Sequence, residues 1–163
     1  MAHSRFSPSA AKRWMACPGS IQLAESIPFV MDTTMPAAKG TLVHHMVEML
    51  LKDRLENVSL SDYWLGRKEE IDGFVVEVTE DMVDCAQQYV HYVKTRKEDL
   101  NGKLLIEERT RIDEISQECW GTVDALILGK EANRIAVIDL KSGKFPVDVE
   151  HNEQLMIYAL GAL

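Results

Sequence analysis

The sequence predicts a mixed α/β fold, of the α+β kind, in which helices flank a three-stranded antiparallel meander. Three observations predict it. Apolar residues recur at helical spacing through 37–57 and again through about 75–99. Three runs rich in apolar and β-branched residues, 103–112, 119–128 and 134–141, are joined by short polar links. The pattern then returns to helix over 149–163.

In chain order, "FSPSAAKRWMACPGS" opens with Ser7 as an N-cap and Pro8 at the first helical position. Pro18 and Gly19 stop that helix. Residues 26–36, SIPFVMDTTMP, read as a loop. The strongest helix is "AAKGTLVHHMVEMLLKDRLEN", 37–57. Leu42, Val43, Met46, Val47, Met49, Leu50 and Leu51 cover so much of its circumference that it must be largely buried. Against them Gly40, His44 and Glu48 form one stripe at i, i+4 and i+8. Residues 58–73 read as loop. The helix over about 75–99 turns Val83, Ala86, Val90 and Val93 inward, and Asn101-Gly102 reverses the chain. The links between the three strands, DEISQE and GKEAN with its glycine, are too short for a crossover helix, which makes the strands antiparallel.

The 163 residues fit one domain, 1–163, with a mostly helical part to about residue 100 and a strand-strand-strand-helix core after it. A hydrophobic fraction of 46% suffices for a packed core, and 27% charged residues is ordinary for a soluble chain. No apolar run approaches the roughly 18 residues of a membrane span. MAHSRFSPSAAKRW carries no hydrophobic signal core, so a cytoplasmic protein with no membrane partner is expected. The three cysteines, Cys17, Cys85 and Cys119, are odd in number and include no C-x-x-C pair. They read as buried thiols rather than a disulfide framework or a zinc site. A net charge of −8 argues against a protein that coats nucleic acid with a basic surface. It does not argue against a nuclease, whose carboxylate-lined metal site is locally acidic until a cation enters.

The chemistry concentrates in "AVIDLKSGK", 136–144. Asp139 and Lys141 lie at i and i+2 and share a strand face, while Ile138 and Leu140 point into the core. Asp124 stands on the middle strand, on the face it shares with Thr122, and Glu107 on the first. Acids gathered on adjacent strands repel unless a cation lies between them, and oxygen donors suit Mg²⁺ or Mn²⁺. His44 would add an imidazole, its plainer alternative being a satisfied core histidine. Lys141 would stabilise charge growing on a phosphate. The plainer alternative is a strand-end ion pair with Asp139. On the last helix His151, Gln154 and Tyr158 fall on one side, a pattern that suits contact with nucleic acid or, alternatively, a solvated face with a half-buried tyrosine. Lys12 and Arg13, the clustered basic pair near the start, are the further candidates for contact with a nucleic acid backbone.

Taken together, "KGTLVHHMVE", "IEERTRI", "WGTVDALIL", "VIDLKSGK" and "NEQLMIYALGAL" resemble, in this order, the RecB-like nucleases of the PD-(D/E)XK superfamily. Within it they are most similar to a phage and prophage group with a like "CPGS" segment near the N-terminus. The resemblance covers about 7–163 and is loosest over 55–100. It implies a restriction-endonuclease-like core and a metal-dependent deoxyribonuclease, an exonuclease of phage recombination or DNA processing, working in the host cytoplasm if phage-encoded. By position it makes His44, Asp124, Asp139 and the Leu140 carbonyl the metal ligands, for Mg²⁺ or Mn²⁺. Lys141 takes the catalytic lysine's place, with Asp139, Asp124 and the extra strand acid Glu107 beside it; the adjacent Glu108 competes for that last role. Gln154 and Tyr158 match a Q-x-x-x-Y motif linked to DNA binding.

Two departures shape what is expected here. Some relatives hold an iron–sulfur cluster with one early and three late cysteines, but no cysteine follows residue 119. No cluster is expected. The family core normally adds a strand after the Q-x-x-x-Y helix, and this sequence stops within that helix at Leu163. The expectation is a core without its final strand, or one completed by a partner chain or a second copy. A non-catalytic DNA- or protein-binding module on the same fold is the alternative function.

Overall fold

A computed structural model describes residues 4–27, 33–53, 59–131, 134–143, 147–148 and 150–163. The N-terminal segment begins with a 3₁₀ turn, Pro8–Ala10, before the short helix α1, Ala11–Ala16. Ser7 is extended but caps nothing with its side chain, because its hydroxyl meets that of Ser9 at 3.0 Å. Pro18-Gly19 does more than end a helix. Cys17 closes α1, and Pro18 is at once the N-cap of α2, Gly19–Ser26. The turn leaves Cys17 exposed, and Cys85 is only half-buried, so of the three thiols expected to be buried only Cys119 is.

The long buried helix is α3, Met35–Leu51. It starts inside the segment expected to be loop. Thr34 accepts a hydrogen bond from the Ala37 amide at 3.4 Å, and Pro36 sits in the first turn, where a missing N–H costs nothing. Residues 28–32 of that expected loop, and 54–57 at the end of the expected helix, lie outside the described residues. Leu42 and Met46 are fully buried, and truncating such a side chain to alanine costs about 2–5 kcal/mol.

Residues 59–77, expected to be mostly loop, instead form α4, Leu60–Trp64, and a hairpin of β1, Lys68–Ile71, and β2, Phe74–Glu77. Ile71 pairs with Phe74 around Asp72-Gly73, whose φ angles of +49° and +82° are those of a two-residue turn that matches strand twist. The helix expected from about 75 therefore begins later, as α5, Glu80–Asp99.

The meander forms as expected: β3, Lys103–Arg111, β4, Trp120–Leu128, and β5, Ile135–Ile138, in the order β3-β4-β5 with both pairings antiparallel. The last strand is shorter than expected and ends one residue before Asp139. The last helix is α6, Glu153–Leu160, capped by the Asn152 side chain on the Leu155 amide. The protein is thus a mixed α/β fold. Among the described residues no helix is long and apolar enough to cross a membrane.

Two apolar faces sandwich the sheet. Ala125, Ile127, Ile138 and Leu140 pack with α3 and α5 in the main core. Leu105, Leu126, Leu128 and Val137 pack on the opposite face with Tyr158 and Ala162. Ile112 and Cys119 extend that second face to Trp14, Ile21 and Ile157.

Candidate functional site

The site begins with a fault in the β3–β4 ladder. Ile106 pairs with Ala125 and Glu108 with Val123, yet the rung between them, Glu107 and Asp124, is not paired. Glu107 stands at φ +54°, a left-handed conformation that costs a residue with a side chain about 1–2 kcal/mol. Side-chain alternation slips at this rung. Before it, Leu104 and Ile106 face the α3/α5 core and Leu105 the α6 side. Beyond it, Thr110 and Ile112 lie against Gly161, on the α6 side. On β4, Ala125 and Ile127 face the helices, but Val123 joins Leu126 and Tyr158 on the far side. The slip turns Glu107 and Asp124 toward α3 beside apolar neighbours that face the same way.

There they meet His44. Its Nδ1 lies 3.2 Å from Asp124 Oδ1. One donor atom each from His44, Glu107 and Asp124 fall within 4.8 Å of one another. The other Asp124 oxygen accepts the Leu140 backbone N–H at 2.5 Å, which fixes the carboxylate and ties β4 to the segment after β5. The glycine of the α3 stripe explains the close fit: a Cβ at Gly40 would come 3.3 Å from Ser142 Oγ.

Asp139 and Lys141 form the adjoining group. Lys141 Nζ lies 2.5 Å from Asp139 Oδ2, and the Gln154 amide of α6 joins both. It donates to Asp139 Oδ1 at 2.9 Å and accepts from Lys141 Nζ at 3.2 Å. The Asp139 side chain is 9% exposed and that of Lys141 44%, so the acid is inside and the cation at the lip. Tyr89 of α5 donates to the Ile138 carbonyl at 3.0 Å, pinning the backbone directly before Asp139.

Electrostatics follow from this crowding. The hydrogen bond to Asp124 raises the pKa of His44 against the opposing effect of burial. Burial, and next the Asp124 charge, raise Glu107. Burial also raises Asp139, outweighing the Lys141 ammonium. Burial thus disfavours the charged carboxylates of Glu107 and Asp139, whereas Asp124 favours the charged imidazole of His44. A divalent cation would offset the charge of the gathered acids, and one imidazole with two carboxylates is a donor set that fits Mn²⁺ or Mg²⁺.

The sequence-derived residues divide accordingly. His44, Asp124 and Glu107 come together, so the strand acid counted as an extra lies at the centre. Asp139 lies one step outward, engaged by Lys141 and Gln154. Leu140 meets Asp124 through its amide, and its side chain belongs to the core. Tyr158 is only 5% exposed, so it braces Gln154 from inside α6. Lys12 pairs with Asp148 at 2.6 Å, and exposed Arg13 sits in a separate pocket with Arg5 and Glu118. Sequence reasoning missed Tyr89. Its signal is a phenol on the buried stripe of α5, where a hydroxyl must find a partner.

A family model described as "Protein of unknown function (DUF2800)" matches residues 3–163. The chain belongs to the DUF2800 family. No solved structure matches it. In this DUF2800 protein the acids and imidazole come from α3, β3 and β4, and the lysine and amide from the segment after β5 and from α6.

Proposed function

We propose that this protein is a divalent-metal-dependent deoxyribonuclease of the phage exonuclease type, acting on DNA in the cytoplasm, with the core resembling the PD-(D/E)XK nucleases. The observation that carries the reading is the convergence of His44, Glu107 and Asp124 within 4.8 Å, beside the Asp139–Lys141–Gln154 group. Residues from distant chain segments meet there, flanked by a partly exposed ammonium, and this supports reading the group as a cation site.

His44, Glu107 and Asp124 would hold the cation, with Asp139 the next carboxylate in reach. A bound Mg²⁺ or Mn²⁺ supplies Lewis-acid stabilisation of negative charge growing on a phosphate. The chain's own contributions are distinct. Lys141 extends a cation to the lip, where it can hydrogen-bond a phosphoryl oxygen as charge develops. Asp139 and Gln154 fix that ammonium in place, so no reorganisation is needed at the moment of reaction. The Leu140 amide holds Asp124 in the orientation that faces His44.

The test pairs a Mn²⁺ titration by calorimetry with a cleavage assay on labelled DNA. Wild-type protein should bind Mn²⁺ and degrade DNA, and Asp124→Ala should do neither. Cleavage that survives Asp124→Ala rejects the site. Mn²⁺ binding without any cleavage favours the non-catalytic binding module instead.

A further inference from the structure

The sheet face that carries the acid cluster is covered on one side of it and open on the other. Toward β4's C-terminal end, α3 and α5 bury Ala125 and Ile127 completely. Toward its N-terminal end, Thr122 and its partner Arg109 are exposed, as is Arg111, the partner of Trp120. Because alternation slips at the Glu107–Asp124 rung, Arg109, Arg111, Trp120 and Thr122 share the face of the cluster.

On this open strip the Arg109 guanidinium lies over the Trp120 ring, 3.9 Å from its centroid. The indole is half-buried, and its backbone is held by a hydrogen bond from the Trp120 amide to Ser4 Oγ at 3.1 Å. Nearby cations are neutralised: Arg111 pairs with Asp113 at 2.6 Å, and Arg5 with Glu25 at 2.7 Å and Glu118 at 3.3 Å. Arg109 makes no ion pair with any described residue. A planar cation already stacked on one side, without an acid to occupy it, presents its outer face and its N–H groups to solvent.

Arg109 follows Glu107 by two positions, about 7 Å along the strand. That is the reach of a nucleotide next to one whose phosphate lies at the cluster. We propose that Arg109, backed by Trp120, is a stacking platform for an unpaired base, which makes a single-stranded DNA segment the substrate entering the site. The proposal rests on the nuclease reading and names the form of DNA it takes. Guanidinium and indole planes accept any base, so the platform selects for an unstacked strand and not for sequence. A paired, stacked base offers no free face to it.

Binding of a fluorescein-labelled single strand and of a blunt duplex of the same sequence, measured by anisotropy in EDTA, tests the platform without turnover. Arg109→Ala and Arg109→Lys should each weaken single-strand binding about 10-fold and leave duplex binding unchanged. One abasic position in the strand should cost the wild type a similar factor and cost Arg109→Ala nothing more. The side chain is exposed, and circular dichroism of each variant checks that it folds. The proposal is overturned if Arg109→Lys binds as wild type, since charge alone then suffices. It is equally overturned if strand and duplex lose affinity together, if abasic and Arg109→Ala losses add, or if the wild type binds neither DNA. Cleavage by Asp124→Ala protein would sink the reading of the acid cluster as the cleavage site and leave this binding result standing. Normal strand binding by Arg109→Ala, with Asp124→Ala inactive, would do the reverse.

Discussion

Glu107 and Asp124 face each other at the unpaired rung of the β3–β4 ladder, and both turn toward His44. A regular strand pair would send these acids to the α6 side. The left-handed backbone at Glu107 is therefore part of how the cluster is made, and the strain lies where the acids and the imidazole converge.

Replacing Glu107 by glycine should separate strain from ligation. Glycine adopts φ +54° freely, and the crowded carboxylate disappears. Without metal the variant should be at least as stable as wild type, by up to about 1 kcal/mol. Mn²⁺ should raise the melting temperature of the wild type, and in the variant this rise should vanish. A lower metal-free melting temperature with the Mn²⁺ effect intact would refute this account of the rung.

Stability of the metal-free protein should fall as pH rises across the range of the cluster. His44 has a folded pKa above its unfolded value of 6.5, so its contribution is complete below 6.5 and is lost as pH climbs through the folded value. Glu107 and Asp139 are also raised, from 4.5 and 3.8. Their folded forms keep protons that the unfolded chain has released, which again lowers stability as pH rises through those windows. Urea melts in EDTA across pH, compared with His44→Gln and Glu107→Gln, read this directly: the variants should have flatter profiles. Identical profiles would show that the cluster does not titrate with folding.

Lys141→Ala should lower DNA cleavage by about 10²-fold or more, yet leave Mn²⁺ affinity within a few-fold, because Lys141 contacts Asp139 and not the three-donor group. Gln154→Ala should cost about 10-fold through loss of the clamp on the same pair. Calorimetry and single-turnover cleavage measure the two quantities separately. Equal loss of metal binding in Lys141→Ala would place the lysine in the wrong role.

Tyr89→Phe should destabilise the fold by about 1 kcal/mol, since it leaves the buried Ile138 carbonyl without its donor. Denaturant melts give the figure. No change would mean that the phenol does not hold the segment before Asp139.

Gly121→Ala should cost about 1–3 kcal/mol. Its Cβ would fall 2.9 Å from Tyr158 Cε1 and 3.0 Å from Pro8 Cδ, so the tyrosine beneath Gln154 must move. Thermal melts should show the loss and cleavage should drop with it; full activity would separate Tyr158 from the site.

Long-range order was legible where pattern and packing agree. Leu42 and Met46 on α3, and the apolar runs of β3, β4 and β5, declare their elements because burial imposes their periodicity. The hairpin was not legible from pattern: KEEI and FVVE are short and half polar, and Asp72-Gly73 was the signal available. Asp139 and Lys141 do sit together as their spacing suggested, although past the end of β5, where a hydrogen bond to Asp124 and not a ladder holds the backbone. Glu107 could not be placed by alternation, because the alternation itself breaks there. The stack of Arg109 on Trp120 is diagonal across two strands, and nothing in either strand's own sequence announces it.

The gathering of His44, Glu107 and Asp124 from a helix and two separate strands also bears on how the molecule comes apart. No fragment that contains only the helix, or only the hairpin of β3 and β4, owns the complete set of donors. A cation gripped there would act as a clasp across the finished architecture: it would reward the last docking event, lengthen the native lifetime, and leave the pace of assembly untouched.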